Sequence, residues 1–179
     1  METLYYSKFQ SPVGLLYVGV SEQGMVLLDL HSGEFLRRPN FNRHGPSRTK
    51  VQWIESEHKT STYVRELKEY FSGKRKEFSL SLDLRGTEFQ KRCWRALLKI
   101  PYGKTRSYAE IAREVGSPRS FRAVGQANHH NPIAIVVPCH RVITSAGTLG
   151  GYGGGLDMKE KLLRLEGAMP SKSETLFSG

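Results

Sequence analysis

Cysteine is scarce in this chain. Only Cys93 and Cys139 occur in 179 residues, so at most one disulfide can form, and the fold cannot rest on a disulfide framework. Free thiols in a reducing compartment are the plainer expectation. Long uncharged apolar runs are missing as well, which excludes a transmembrane helix and leaves no membrane partner to expect. The opening METLYYSKFQ lacks the basic and apolar regions of a signal peptide. A cytoplasmic location is therefore expected, or a nuclear one in a eukaryote. The glycine-rich stretch 147–155 lacks the Lys-Ser/Thr ending of a phosphate loop. His31, His44 and His58 are scattered with no ligand spacing, so no metal site is expected.

Acidic residues are also in short supply, with 17 Asp+Glu against 27 Lys+Arg. The surplus is uneven. Residues 1–86 hold 13 basic and 10 acidic side chains, a net of +3, whereas residues 87–179 hold 14 and 7, a net of +7. Such asymmetry favours an anionic polymer docking on the second half over a merely basic, soluble surface.

The first half reads as a scaffold. Residues 4–9, 15–20 and 25–30 form strands separated by turns at 11–14 and 21–24, which predicts a three-strand antiparallel meander. Residues 31–50 read as an exposed loop. A helix is expected over 61–72, with Tyr63, Leu67, Tyr70 and Phe71 on one face and Gly73 as its stop. Residues 78–82 alternate as a candidate edge strand, and 83–86 read as the crossing into a second domain.

The second half is helical and strongly punctuated. Thr87-Glu88-Phe89-Gln90 predicts a capping box, opening a helix that buries Phe89, Cys93, Ala96, Leu97 and Ile100 and ends at Pro101-Tyr102-Gly103. Cys93 is thus a core residue. Ser107-Tyr108-Ala109-Glu110 predicts a second box, for a helix ending at Gly116. Ser117-Pro118 predicts the start of a third, carrying Arg119 and Arg122. Two short helices joined through a glycine turn fit a helix-turn-helix or an ordinary helical hairpin. The basic surplus tips the balance toward DNA.

Cys139 and His140 follow the apolar run 133–137, which is pinned by Pro132 and Pro138. Pro138 biases Val137 toward extended geometry, so Cys139 is expected to emerge from a buried extended segment. A thiolate is the reactive form of cysteine, and imidazole or cationic neighbours lower its pKa. Adjacency alone does not make a site, and a lone cysteine in an apolar region is more often packing. Asp157 is read as capping a last helix, with Leu162, Leu163 and Leu165 apolar and Gly167 closing it. Glu166 lies in its final turn, where the macrodipole disfavours a negative charge. Residues 169–179 read as a flexible tail.

These residues resemble the O6-alkylguanine-DNA alkyltransferase family. The resemblance is dense over 87–167. It covers Phe89-Gln90 with Trp94, Ile100-Pro101-Tyr102-Gly103, residues 107–112, Arg122-Ala123-Val124-Gly125, Asn131-Pro132, Pro138-Cys139-His140-Arg141-Val142, residues 151–156, and the ending Lys161-Leu162-Leu163 to Glu166-Gly167. Residues 1–80 match only in general character. The resemblance implies an α/β (α+β) architecture. A small N-terminal α/β domain spans 1–83, and a helical DNA-binding and alkyl-transfer domain containing the helix-turn-helix spans 84–168.

By the same resemblance, Cys139 attacks the alkyl carbon of a flipped O6-alkylguanine. His140 takes the thiol proton through a water, Glu166 orients the imidazole, Tyr108 donates to the leaving base at N3, and Asn131 braces the turn. Carbonyls of Cys139 and Val142 accept from the guanine amine, and Tyr152, Gly153 and Gly154 line the pocket. Arg122 fills the space the base leaves. Ser107, Tyr108, Arg119, Ala123 and Gln126 join it against the minor groove of double-stranded DNA. The family implies single use, no cofactor and a monomer. Cooperative binding along DNA and activity on O4-alkylthymine stay open. With no cysteine in residues 1–86, the N-terminal zinc of some relatives is not expected. Gly153 stands where some members have serine, and Cys139 argues against the branch with tryptophan there. A non-catalytic helix-turn-helix damage-recognition protein explains the charge but gives Cys139, His140 and Glu166 no purpose. A cysteine hydrolase explains the nucleophile but not the arginine-bearing helix.

Overall fold

The structure, a computed structural model, describes residues 1–30, 33–37 and 50–169. His31, His44, most of the expected 31–50 loop and nearly all of the expected tail lie outside the described residues. The chain divides into two compact units. One comprises Met1–Thr87 with Pro132–Ala134, the other Glu88–Asn131 with Ile135–Gly179.

The first unit is built on a sheet. Strands β1 (Glu2–Ser11), β2 (Gly14–Val20) and β3 (Met25–Asp29) form the antiparallel meander. A fourth strand, β4 (Val51–Glu55), pairs in parallel with β1, giving the order β3-β2-β1-β4. β4 does not belong to the three-strand expectation. It is a five-residue edge strand with no fully buried residue, too short for its alternation to stand out. The expected edge strand over 78–82 does not form. Only Leu82 bridges, to Met25.

Each face of the sheet has its own cover. Leu4, Val26, Leu27 and Phe35 form a cluster with Tyr6, Tyr17, Val51 and Trp53 around it. Phe35 lies in a short 3-10 helix, Glu34–Arg37, and meets Trp53 edge-on at 4.8 Å between ring centroids. Gly19 is needed here, because a Cβ would come within 2.9 Å of the Trp53 ring. On the other face lies helix α1 (Glu57–Phe71), with Leu67 and Tyr70 fully buried and Ser7 hydrogen-bonded to Thr60. The helix starts four residues before the expected start, because Ser56 caps it by accepting from the Lys59 N–H. His58 sits in its first turn.

The second unit packs helices α2 (Glu88–Leu98), α3 (Tyr108–Glu114), α4 (Phe121–His129) and α5 (Leu156–Leu165). In α2 the residues Cys93, Trp94, Ala96 and Leu97 are buried, and Cys93 is a core thiol, pushed up to about 11 by that burial. The Trp94 indole crosses to α4 and donates to the Ala127 carbonyl at 2.9 Å. α3 carries both bonds of the expected capping box, between Ser107 and Glu110. Gly116, at φ +79, reverses the chain after α3.

Two helix starts differ from expectation. α4 begins at Phe121, with Ser120 at its N-cap and no side-chain capping bond. Ser117-Pro118-Arg119 form a turn closed by the Ser120 N–H on the Ser117 carbonyl, so Arg119 precedes the helix. α5 begins at Leu156 behind Gly155, which at φ +94 holds a conformation open to glycine. Asp157 therefore lies inside the first turn of α5, where it complements the dipole, and is not the cap.

Replacing Trp94 with Phe removes the indole donor and leaves the Ala127 carbonyl buried. We expect a loss of roughly 1–3 kcal/mol, read as a lower urea midpoint with an unchanged slope.

Candidate active site

Two short strands set the site. β5 (Arg106–Ser107) pairs in parallel with β6 (Val142–Ile143), Arg106 against Val142 and Ser107 against Ile143. Tyr108 opens α3 directly after β5, and Cys139-His140-Arg141 form a 3-10 turn directly before β6. The pairing thus brings Tyr108 and Cys139 to one pocket of about 380 Å³, which Tyr152, Gly153 and Gln126 also line.

The segment before Cys139 is not the expected extended one. Ile133 does bridge to Leu28. Ile135, however, sits at φ +73, alone among the described non-glycine residues at positive φ, and the chain turns there. For a β-branched residue this conformation costs energy, and Ile135 is fully buried, so packing holds it.

Around Cys139 the environment is mixed. The Asn131 amide donates to the Val137 carbonyl at 2.8 Å and to the Cys139 sulfur at 3.2 Å, tying thiol and loop together. Burial pushes the Cys139 thiol up, against the Asn131 hydrogen bond and the nearby Lys159 charge, which favour the thiolate. The Tyr152 hydroxyl is buried beside the sulfur without a partner of good hydrogen-bond geometry. At rest Cys139 is therefore a neutral thiol.

Behind it His140 is fully buried. Its Nε2 pairs with Glu166 Oε1 at 2.8 Å. Burial lowers the His140 pKa despite the carboxylate, so the ring is neutral. In that tautomer Nε2–H donates to Glu166, and Nδ1 carries the free lone pair. Nδ1 is buried with no protein partner. Glu166 also accepts from Arg141, at 2.9 Å on each oxygen, and Arg141 donates to the Ile100 carbonyl at 2.7 Å. Burial alone would raise the Glu166 pKa. The hydrogen bonds and charges of His140 and Arg141 overcome it and hold the carboxyl at about 2. Glu166 sits where α5 ends, and the buried Arg141 guanidinium more than offsets the helix dipole there.

Lys159 escaped the sequence reading. It is fully buried in α5, and its ammonium donates to the carbonyls of Val142 at 2.6 Å, Leu149, and Gly151 at 3.2 Å. Burial lowers its pKa to about 8. The signal was present: Lys159, Leu162, Leu163 and Glu166 follow i, i+3, i+4, i+7 spacing, so a lysine lies on the apolar face of α5.

The remaining candidates are placed as follows. Val142 is fully buried, with its carbonyl on Lys159 and its N–H on the Cys139 carbonyl. Gly154 is half-buried beside the pocket-lining Gly153. Arg122, Ala123 and Gln126 are exposed on α4, Arg119 is exposed in the turn before it, and Ser107 is half-buried at the α3 cap. The Arg122 guanidinium lies 6.0 Å from the Phe121 ring centre. Among the described residues no three His, Cys, Asp or Glu side chains cluster as a metal site. A larger, more open groove of about 660 Å³ lies beside α1, with Phe9 and Lys68 in its walls. It holds no nucleophile paired with a base.

A buried thiol, a neutral histidine locked by a carboxylate, and a helix-turn-helix bearing exposed arginines together place a candidate cysteine nucleophile beside a motif of the nucleic-acid-binding type. The comparisons with known proteins agree. Residues 88–168 match the 6-O-methylguanine DNA methyltransferase, DNA binding domain, and residues 4–84 match the ribonuclease-like domain of the same protein. A methylated-DNA–protein-cysteine methyltransferase of Mycolicibacterium paratuberculosis is 50% identical over 172 residues, 96% of this chain and 98% of its own. The crystal structure of Mycobacterium tuberculosis O6-methylguanine methyltransferase superposes with a TM-score of 0.78 at 42% identity, over 97% of this chain and 99% of that one. The Mycobacterium tuberculosis OGT structure in complex with DNA gives 0.76 at 44% identity, over the same shares. This chain belongs to the 6-O-methylguanine DNA methyltransferase family.

The sign of the acid dependence follows from Glu166. Its pKa falls from 4.5 to about 2 on folding, so its stabilisation is complete above pH 4.5 and is lost as pH falls toward 2. On the order of 3 kcal/mol should disappear across that window. Glu166→Gln should lack most of this dependence and start roughly 3 kcal/mol less stable at pH 7, since Arg141 stays buried without its counter-ion. Urea titrations at a series of pH values check both.

Proposed function

We propose that this protein repairs DNA by direct reversal. It moves the alkyl group of O6-alkylguanine irreversibly onto its own Cys139. The observation that carries this reading is the buried His140–Glu166–Arg141 set behind a thiol that opens on a base-sized pocket. The neutral His140 takes the thiol proton at Nδ1, through a water. The thiolate attacks the alkyl carbon, the carbon–oxygen bond breaks, and a thioether forms. The electron pair leaves on the base, and a proton from the Tyr108 hydroxyl to N3 releases neutral guanine. Asn131 holds the sulfur, and Glu166 keeps the imidazole in the required tautomer. Tyr152 and Gly153 form the pocket wall. Nothing near the thioether can reverse it, so each molecule acts once.

The base must leave the stack to reach the sulfur. Arg122, exposed on α4, fills the vacated space, with Ser107, Arg119, Ala123 and Gln126 beside it on the duplex. The docking face is the minor groove, where readout is degenerate and damage rather than sequence is sought. The protein acts as a monomer in the cytoplasm. Among the described residues no helix is long and apolar enough to cross a membrane.

Intact and peptide mass spectrometry after mixing with an O6-methylguanine duplex should find one methyl per molecule, on Cys139, and none on Cys139→Ser. Tight DNA binding without a mass change would favour a non-catalytic damage-recognition protein. Arg122→Ala should slow repair of the duplex by roughly tenfold or more while sparing the free modified base. Glu166→Gln should slow both by roughly 10²-fold, with duplex affinity near normal.

A further inference from the structure

Helix α4 brings one apolar ring to the pocket. Phe121 is 50% exposed, yet it lines the same cavity as Cys139, which is 6% exposed. The sulfur thus lies at the inner end and the ring at the mouth. Of the other α4 residues around the cavity, Gln126, Asn128 and His129 are polar and Gly125 has no side chain. Phe121 therefore supplies that helix's apolar surface there. A single exposed aromatic is ordinary on a protein surface, but this one stands on the path to the sulfur.

The path has a second marker. The next residue, Arg122, is the exposed arginine assigned to the space the base vacates, and its guanidinium lies 6.0 Å from the Phe121 ring centre. A nucleotide leaving that space for Cys139 passes the ring. Attack at the alkyl carbon needs the base at the inner end, beside the sulfur. Its deoxyribose, still joined to the strand, is left at the mouth. The C–H groups of the sugar are apolar surface that a phenyl ring can cover, and the ring gives up no hydrogen bond to water in doing so. The two neighbours divide the work: the arginine holds the gap in the duplex, and the ring holds the nucleotide outside it.

We propose that Phe121 is a substrate-holding residue whose ring packs against the deoxyribose of the everted nucleotide at the mouth of the pocket. The proposal rests on the alkyl-transfer reading, and its tests separate the two.

Methyl uptake is measured from a single-stranded oligonucleotide carrying O6-methylguanine, from the matching duplex, and from O6-methylguanine as the free base. Phe121→Ala should raise the half-saturating strand concentration by roughly tenfold, leave the saturating rate near normal, and change the free-base rate by less than about twofold. Phe121→Leu, which restores apolar bulk, should recover most of the loss. Equal losses on strand and free base would mean a general defect of the fold and overturn the assignment. An unaffected strand beside a slowed duplex would do the same, since the ring would then work within the base stack. A leucine variant no better than alanine also overturns it. A second measurement needs no transfer. In Cys139→Ser protein, read by fluorescence anisotropy, Phe121→Ala should weaken binding of the lesion strand several-fold more than binding of the same strand carrying guanine. Equal weakening on both strands, or none, overturns the contact. Wild-type protein that takes no methyl from any of the three substrates would instead refute the alkyl-transfer reading, while the anisotropy would still report on Phe121.

Discussion

One carboxylate, Glu166, holds together the buried charged cluster of the second unit. It accepts from the His140 ring on one oxygen and from the Arg141 guanidinium on both. Two bases and an acid buried together are costly unless each satisfies the others. The arrangement does so: Glu166 stays ionised, Arg141 has its counter-ion and a carbonyl, and His140 stays neutral. The imidazole is thereby fixed with Nδ1 as its open lone pair. The end of α5, the 3-10 turn and the end of α2 are tied at the same point, because Arg141 also reaches the Ile100 carbonyl. The set that locks the imidazole is also a structural rivet.

Lys159 is a second buried charge of the same unit. Its ammonium collects three carbonyls from β6 and the glycine-rich stretch, so a stretch with little packing of its own is held by charge–dipole contacts. Its positive charge favours the thiolate that burial otherwise penalises. Cys139 therefore has a cation near its sulfur and lines the pocket.

Much of this was legible in the sequence. The meander, the Ser107–Glu110 capping box and the buried faces of α2 and α3 follow from periodicity and cap chemistry, which are local. What stayed hidden was non-local. β4 is a short strand whose pairing with β1 depends on residues far from it in the chain. Helix α4 starts at Phe121 rather than Pro118 because the backbone closes a turn there instead of using the proline as a first helical residue. Asp157, with the composition of a cap, yields that place to Gly155, which alone suits the backbone angle. At the site, Glu166 looked out of place against the helix dipole until Arg141 was found beside it. The resemblance to a family supplied the roles of Cys139, His140 and Glu166. It said nothing of Lys159 or Phe121, a charge buried in the core and an aromatic ring left half exposed at the pocket.

The neutrality of the resting thiol has a further consequence. Oxidants and stray electrophiles react with exposed thiolates first, and a protein consumed by its own reaction cannot recover from a wasted encounter. Keeping Cys139 protonated and nearly inaccessible, 6% exposed, works as a safety catch. Under the proposed single-use transfer, a thiol kept in this state is spared for the lesion it is to repair.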